Sequence, residues 1–162
     1  MQYMSKRTNI GGQCIMSNSH ADEFTLSPSA KVKPIRVLVA DNFAPFLQSL
    51  MELIQALAGL EAVGAARNGE ELLALCEQLQ PDVVLMDIEM PLMDGVTATR
   101  RIKQQWPQIM VIGLTGYNEM DRYQEMLDAG ASKCLSKTTS ASELLKHITK
   151  VMNSESGPTG ME

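Results

Sequence analysis

The sequence predicts an α/β fold in which a doubly wound, five-stranded parallel sheet carries helices on both faces. Short apolar runs alternate five times with stretches of helical period. The links between them are short, which favours right-handed crossovers between parallel strands. The central run, Asp82–Asp87, is apolar at consecutive positions, as expected of a strand that is buried on both faces.

The first two strand–helix units follow this pattern. Ile35–Ala40 is apolar and β-branched, as is typical of a strand. Pro45 suits the first turn of the next helix, where no backbone N–H is needed, and Gly59 closes that helix. Glu61–Ala66 is a weaker strand, and Pro81 ends the second helix. The apolar stripes of the two helices are Phe46, Leu47, Leu50, Ile54 and Leu57, then Leu72, Leu73, Cys76 and Leu79.

Three more units complete the alternation. Asp82–Asp87 is the third strand, Ile109–Leu114 the fourth, and Ser132–Ser136 a short fifth strand at an edge. Pro107 ends the third helix and Gly130 the fourth. The helical stripes are Ala98, Ile102 and Trp106, then Met120, Tyr123 and Leu127, and finally Leu144, Leu145, Ile148, Val151 and Met152. The result is a flavodoxin-like (βα)5 fold.

The predicted fold occupies only part of the chain. Residues 1–32 are polar and lack a period, which predicts a disordered N-terminal arm. The folded domain is predicted over residues 33–152, and residues 153–162 form a polar, flexible tail. Ser140 and Glu143 are spaced as a capping box at the start of the last helix.

Composition excludes several classes of protein. The 162 residues make one domain, and the formal net charge of −5 argues against a nucleic-acid-binding surface, so we expect no direct DNA binding. Three widely spaced cysteines fit neither a disulfide framework nor a zinc site and indicate a cytoplasmic location. All apolar runs are far shorter than the roughly 20 residues that cross a bilayer, so we expect no membrane association.

Polar residues stand where the predicted strands end. Asp41 and Asn42 follow the first strand, Asp87 ends the third, Thr115 follows the fourth and Lys137 follows the fifth. In a parallel sheet these positions share one edge, where ligands bind. Carboxylate and carbonyl oxygens suit Mg²⁺, a carboxylate can act as a nucleophile, and an ammonium with a hydroxyl can bind phosphoryl oxygens. The set suits phosphoryl transfer to a carboxylate.

One stretch carries most of a family resemblance. Pro81–Pro91 (PDVVLMDIEMP), followed by Met93-Asp94-Gly95, is similar to the signature of receiver domains of two-component response regulators. Further matches lie at the ends of the first, fourth and fifth strands: Val37–Asp41, Leu114-Thr115-Gly116, and Gly130-Ala131 with Lys137. The resemblance covers residues 35–152.

The resemblance implies a role for each residue at the strand ends. Asp87 would accept a phosphoryl group from a histidine kinase or a phosphotransfer protein, and Thr115 and Lys137 would bind the phosphoryl oxygens. Mg²⁺ would be surrounded by oxygens of four residues: Asp41, Asn42, Asp87 and, through its backbone carbonyl, Glu89.

The resemblance also implies a kind of output. The protein would be a single-domain response regulator that signals to a downstream protein partner through protein–protein contacts. Phosphorylation would shift a pre-existing equilibrium at the face made by the fourth helix, fifth strand and fifth helix. Such a protein is no enzyme in the usual sense, although the site can carry self-phosphorylation and autodephosphorylation chemistry.

Three residues depart from the family pattern. Asn42 stands where a second acid is usual, Cys134 where an aromatic is usual, and Thr138 where a proline is usual. The first two leave open an alternative, a pseudo-receiver that works as an interaction module without phosphorylation. A phosphatase with an aspartyl-phosphate intermediate is a third hypothesis. Against it, the sequence has Glu89 where the second Asp of a D-x-D signature is expected, and it has no cap insertion.

Overall fold

The computed structural model describes residues 33–116 and 122–154. Strands and helices alternate throughout this part of the chain. In chain order the elements are β1 (Ile35–Ala40), α1 (Ala44–Ala56), β2 (Leu60–Ala66), α2 (Gly69–Leu79), β3 (Val83–Asp87), α3 (Gly95–Gln105), β4 (Met110–Thr115), α4 (Tyr123–Asp128), β5 (Lys133–Ser136) and α5 (Ala141–Ser154). The predicted arm and residues 155–162 of the predicted tail lie outside the described residues.

The five strands form one parallel sheet in the order β2-β1-β3-β4-β5. The predicted doubly wound, flavodoxin-like fold is therefore confirmed, and β5 is an edge strand as expected. Since β1 and β3 are neighbours, Asp41 and Asp87 leave the sheet side by side at its carboxyl edge. A crevice at this edge is where open α/β sheets bind their ligands.

Helices cover both faces of the sheet, and each face has its own apolar core. Leu38 and Val84 point to the face that α2, α3 and α4 cover, whereas Val39 and Leu85 point to the face that α1 and α5 cover. Every residue of β3 is buried. This two-sided burial explains why the strand is apolar at consecutive positions, and it makes β3 a rigid support for the residue at its end.

Three helices begin at a polar side chain that caps the first turn. Ser140 Oγ accepts a hydrogen bond from the Glu143 N–H at 3.3 Å, which realises half of the predicted capping box. Asn68 and Asp94 cap α2 and α3 in the same way, at 2.9 and 2.8 Å. These two caps were not predicted from the sequence, because Asn68 and Asp94 each lie in a stretch that the sequence pattern predicts as a loop.

The fourth helix buries a different residue from the one predicted. Within α4 the buried side chain is that of Met126, while Leu127 is only half-buried. Met126 packs beside Gly113, where a Cβ atom would lie 2.9 Å from its terminal methyl group. The glycine in β4 thus makes room for Met126. Met120, the first member of the predicted stripe, lies outside the described residues.

Candidate functional site

Two carboxylates are buried at the carboxyl edge of the sheet. Asp41 is 0% exposed and Asp87 is 2% exposed, and they are the buried charged residues of the described chain. Two adjacent carboxylates in such a place require compensation by positive charge or hydrogen bonds. The arrangement is therefore built around a cation or an ammonium group.

Lys137 provides the ammonium group. Its Nζ lies 2.8 Å from Asp41 Oδ2 and 3.1 Å from Asp87 Oδ1. Its backbone N–H donates to the carbonyl of Thr115 at 2.9 Å, which fixes the chain just after β5 against β4. Burial alone would lower the pKa of Lys137, but the contacts with the two carboxylates outweigh it and raise this pKa above its ordinary value. Lys137 is therefore a cation that is held in place.

Asp41 has one backbone partner and one charged partner. Its Oδ1 accepts a hydrogen bond from the Phe43 N–H at 2.7 Å. Its buried Oδ2 is paired with the Lys137 ammonium group at 2.8 Å. Because the two buried carboxylates share this one ammonium group, the pocket keeps a negative charge that suits an additional cation.

Asn42 is exposed, and its amide faces the other predicted metal ligands. Its Oδ1 faces Glu89 O and Asp87 Oδ2, and the amide would donate to each of them, at 3.3 Å, only if it were turned over. All three atoms are acceptors, so in this orientation they form no hydrogen bond with one another. The structure thus brings the four predicted metal-site residues together, with the carbonyl oxygen of Asn42 on the side of Glu89 and Asp87.

Thr115 lies at the same edge of the sheet, but its hydroxyl is hydrogen-bonded to β5. It ends β4, one position beyond Leu114, the register partner of Asp87. Its buried hydroxyl donates to the carbonyl of Leu135 in β5 at 3.4 Å. The hydroxyl predicted to bind a phosphoryl oxygen is therefore hydrogen-bonded to the edge strand in this structure.

The loop after Asp87 is packed tightly by Gly95, the first residue of α3. The Gly95 N–H donates to Ile88 O at 2.8 Å. A Cβ atom at this position would lie 2.3 Å from the carbonyl oxygen of Asp87 and 2.9 Å from the Cα of Ile88. Only a residue without a side chain allows the helix to approach this backbone so closely.

We expect Gly95→Ala to lower the free energy of unfolding by about 2 kcal/mol or more, because backbone atoms cannot move aside as a flexible side chain can. Urea denaturation at pH 7 measures this change. Gly59→Ala is the control: its Cβ would meet nothing within 4 Å, but its φ of +84° carries a strain of about 1 kcal/mol. A smaller loss for Gly95→Ala than for Gly59→Ala would contradict the steric explanation.

An ion pair that was not predicted from the sequence connects the loop after Asp87 to α4. Arg122 lies 2.6 Å from Asp94 Oδ2. Burial would raise the pKa of Asp94, but hydrogen bonds from Arg122 and Thr97 outweigh it and lower this pKa below its ordinary value. The partners are separated by 28 residues, so no local sequence signal announces the contact.

The two cysteines of the described residues lie in the core. Cys76 and Cys134 are buried and form no disulfide. Burial raises the pKa of the Cys76 thiol to about 12, which keeps it protonated and unreactive at neutral pH. Cys134 fills space beside Gly113, where a Cβ atom would lie 2.7 Å from its sulfur.

Comparison with known proteins identifies the class. The family model of the response regulator receiver domain matches residues 37–149. The chain therefore belongs to the response regulator receiver domain family, and the recognition from the sequence motifs is confirmed.

Individual relatives of the chain are also response regulators. It is 35% identical over 123 residues to the response regulator protein VraR of Staphylococcus saprophyticus, covering 76% of this chain and 59% of that protein. It resembles the response regulator domain of Thermotoga maritima CheB with a TM-score of 0.68 and 34% identity, covering 74% of this chain and 97% of the other. Because the chain spans about 59% of the length of its curated relative, the expectation of a single-domain regulator stays a prediction.

The expectation of no direct DNA binding was wrong. A further solved structure that the chain resembles is a DNA-binding response regulator of the LuxR family from Staphylococcus aureus, with a TM-score of 0.68, 26% identity, and coverage of 72% of this chain and 98% of the other. The expectation failed because an acidic net charge describes only the receiver-length chain at hand. It says nothing about the DNA contacts of a longer regulator.

Two further properties of the described residues bear on the remaining expectations. None of the helices in residues 33–116 and 122–154 has the length and apolar character needed to span a membrane. The same residues contain no group of three or more His, Cys, Asp or Glu side chains that could hold a metal ion. Asn42, in place of an acid, is one reason that the pocket has only two carboxylates.

Proposed function

We propose that this receiver domain accepts a phosphoryl group on Asp87 from a histidine kinase or a phosphotransfer protein. One observation carries the proposal: a buried carboxylate ends the central strand, with the ammonium nitrogen of Lys137 3.1 Å from its Oδ1. A carboxylate so placed is held still by the surrounding sheet and faces the crevice in which α/β sheets bind ligands. A cytoplasmic location belongs to the same proposal, since the three widely spaced cysteines of the sequence suit a reducing compartment.

The chemistry needs little beyond positioning and charge. A carboxylate oxygen of Asp87 attacks the phosphorus of a phosphohistidine, and the new P–O bond forms as the P–N bond breaks. The imidazole leaves with the electron pair and takes up a proton. Lys137 offsets the negative charge that gathers around the transferred group, and Thr115 supplies a hydroxyl at the same edge. In the proposed autodephosphorylation, water attacks the phosphorus, the P–O bond to Asp87 breaks, and the carboxylate and inorganic phosphate are released.

The oxygen atoms of the pocket suit Mg²⁺ in kind. Asp41, Asn42, Asp87 and the carbonyl of Glu89 would hold it, and the two buried carboxylates, which share one ammonium group, support a cation there. Bound Mg²⁺ would supply positive charge against the phosphoryl oxygens. Lys137 contacts an oxygen of each carboxylate in this structure, so a metal has to share these oxygens or displace the ammonium group.

The test of this function is incubation with a small acyl phosphate and Mg²⁺, followed by intact mass measurement. We expect the protein to gain one acid-labile phosphoryl group. No gain, under conditions in which another receiver domain is phosphorylated, would support the pseudo-receiver alternative. The specific observation in favour of that alternative is Asn42, which leaves the pocket one negative charge short of the family pattern. The match to the receiver family argues against the aspartyl-phosphate phosphatase.

Restoring the missing acid is expected to strengthen metal binding. Asn42→Asp adds a full negative charge about 4 Å from the proposed ion, worth a few kcal/mol at an effective dielectric of about 20 before desolvation is subtracted. We therefore expect Mg²⁺ to bind about tenfold more tightly or better. Isothermal titration at one salt concentration measures it, with Asn153→Asp on α5 as a control for added charge. Equal affinities for wild type and Asn42→Asp would place Asn42 away from the metal.

A further inference from the structure

We propose that Phe46 is a positioning residue for phosphoryl transfer, whose ring holds the ammonium group of Lys137 beside the two buried carboxylates. This inference deepens the proposed function and rests on it for the reaction that Lys137 serves. The sequence pattern places Phe46 in the apolar stripe of the first helix, which indicates packing alone.

The contact between the ring and the ammonium group is the main observation. Lys137 Nζ lies over the Phe46 ring, 5.2 Å from the ring centroid. A cation within about 6 Å of the centroid is attracted by the negative face of an aromatic ring. The same nitrogen lies 2.8 Å from Asp41 Oδ2 and 3.1 Å from Asp87 Oδ1. The ammonium group is therefore held by two carboxylates at the edge of the sheet and by one aromatic ring on α1.

The fold fixes the position of the ring. Since α1 begins at Ala44, shortly after β1 ends, its first turn lies at the carboxyl edge of the sheet. Phe46 is half-buried in that turn and packs against the apolar core on the face that α1 and α5 cover. Together with Leu114 and Leu144, it lines a cavity of about 100 Å³ that Lys137 also borders. These surroundings strengthen the contact, because the attraction between a cation and a ring grows when water is excluded.

The ring supplies a contact that the reaction does not alter. A lysine side chain is long and flexible, and that of Lys137 is 23% exposed, so its ammonium group can also turn toward water. Conversion of Asp87 to an acyl phosphate changes one of its two ionic partners. Phe46 is uncharged and takes no part in the transfer, so its contact with Lys137 persists. The ring thus keeps the ammonium group beside the phosphoryl oxygens and leaves its positive charge available to them.

Replacing the ring by an aliphatic side chain tests this role. Phe46→Leu keeps an apolar residue at the position and removes the aromatic face. We expect the rate of phosphorylation by a small acyl phosphate with Mg²⁺ to fall about threefold or more, and Phe46→Tyr to stay within about twofold of wild type. Leu53→Ala is the control for lost packing, because Leu53 lines the same cavity from α1, and its rate should also stay within about twofold of wild type. A wild-type rate in Phe46→Leu, or an equal loss in Phe46→Tyr, would overturn the proposal.

A double-mutant cycle separates positioning from packing. If the ring acts through the ammonium group, Phe46→Leu changes the rate by less than about twofold once Lys137→Ala has removed that group. A role in packing alone would lower the rate by the same factor with and without Lys137, and this result would contradict the proposal.

A spectroscopic measurement needs no phosphorylation. An aromatic ring moves the proton resonances of a group that lies over its face upfield. The Cε protons of Lys137 should therefore be shifted upfield in wild type and in Phe46→Tyr, and return toward the ordinary lysine position in Phe46→Leu. Equal positions in wild type and Phe46→Leu would overturn the proposal. If wild type takes up no phosphoryl group, the proposed function fails and the role of Phe46 in the reaction fails with it, while this resonance still decides whether the ring holds Lys137.

Discussion

Asp87→Asn is expected to abolish acyl-phosphate formation while leaving the fold intact. The amide has nearly the same shape as the carboxylate but has no anionic oxygen to attack phosphorus. The fold survives because Lys137 keeps its contact of 2.8 Å with Asp41, and one of two neighbouring buried negative charges is removed. Intact mass after incubation with a small acyl phosphate and Mg²⁺ measures the effect.

Asp128→Asn is the matched control for this experiment, because Asp128 is an exposed carboxylate on α4. We expect it to gain one phosphoryl group as wild type does. If Asp87→Asn still gained an acid-labile phosphoryl group, another residue would be the acceptor and the assignment of Asp87 would be wrong.

Lys137→Ala is expected to cause the largest loss of stability among the site variants. It would leave Asp41 and Asp87 buried without their ammonium partner. Breaking a fully buried ion pair costs about 3–5 kcal/mol, and the 23% exposure of the Lys137 side chain reduces this to about 2–3 kcal/mol. Urea denaturation at pH 7 measures the change, and Lys146→Ala on the exposed side of α5 is the control. Equal stability of the two variants would contradict the role of Lys137 in the pocket.

The stabilisation that Lys137 provides should be lost at high pH. Because the pKa of Lys137 is raised above its ordinary value of 10.5, its contribution is complete below that value and is lost as the pH rises through the raised one. Wild type and Lys137→Ala should therefore converge in stability in strongly alkaline solution. We also expect Lys137→Ala to accept a phosphoryl group yet to lose the structural response, measured as chemical-shift changes in β4 and β5.

The framework of the site could be predicted well from the sequence. The strand ends follow from runs that are short, apolar and bounded by polar residues, so the residue pattern alone places Asp41, Asp87 and Lys137 at one edge. Alternation of strands and helices is enough to predict that the strands are parallel and that these residues share an edge. The close approach of Asp41 and Asp87 also depends on β1 and β3 being neighbours, which alternation alone does not specify.

The partners of individual side chains could not be predicted in the same way. The ion pair of Arg122 with Asp94 depends on where α4 begins. The burial of Met126 instead of Leu127 depends on the gap left by a glycine in a neighbouring strand. Each of these is decided by packing between elements, which a local periodicity does not record.

The hydroxyl of Thr115 can donate its one hydrogen bond either to Leu135 or to an anion in the crevice, but not to both. A hydroxyl has a single hydrogen to donate, and here it is given to the carbonyl of Leu135 across a long contact of 3.4 Å. An anion that accepts this hydrogen bond removes it from the carbonyl of Leu135 in β5. In the described sheet, β5 has β4 as its one neighbour. When an anion in the crevice accepts this hydrogen bond, the edge strand β5 therefore loses its side-chain hydrogen bond from Thr115.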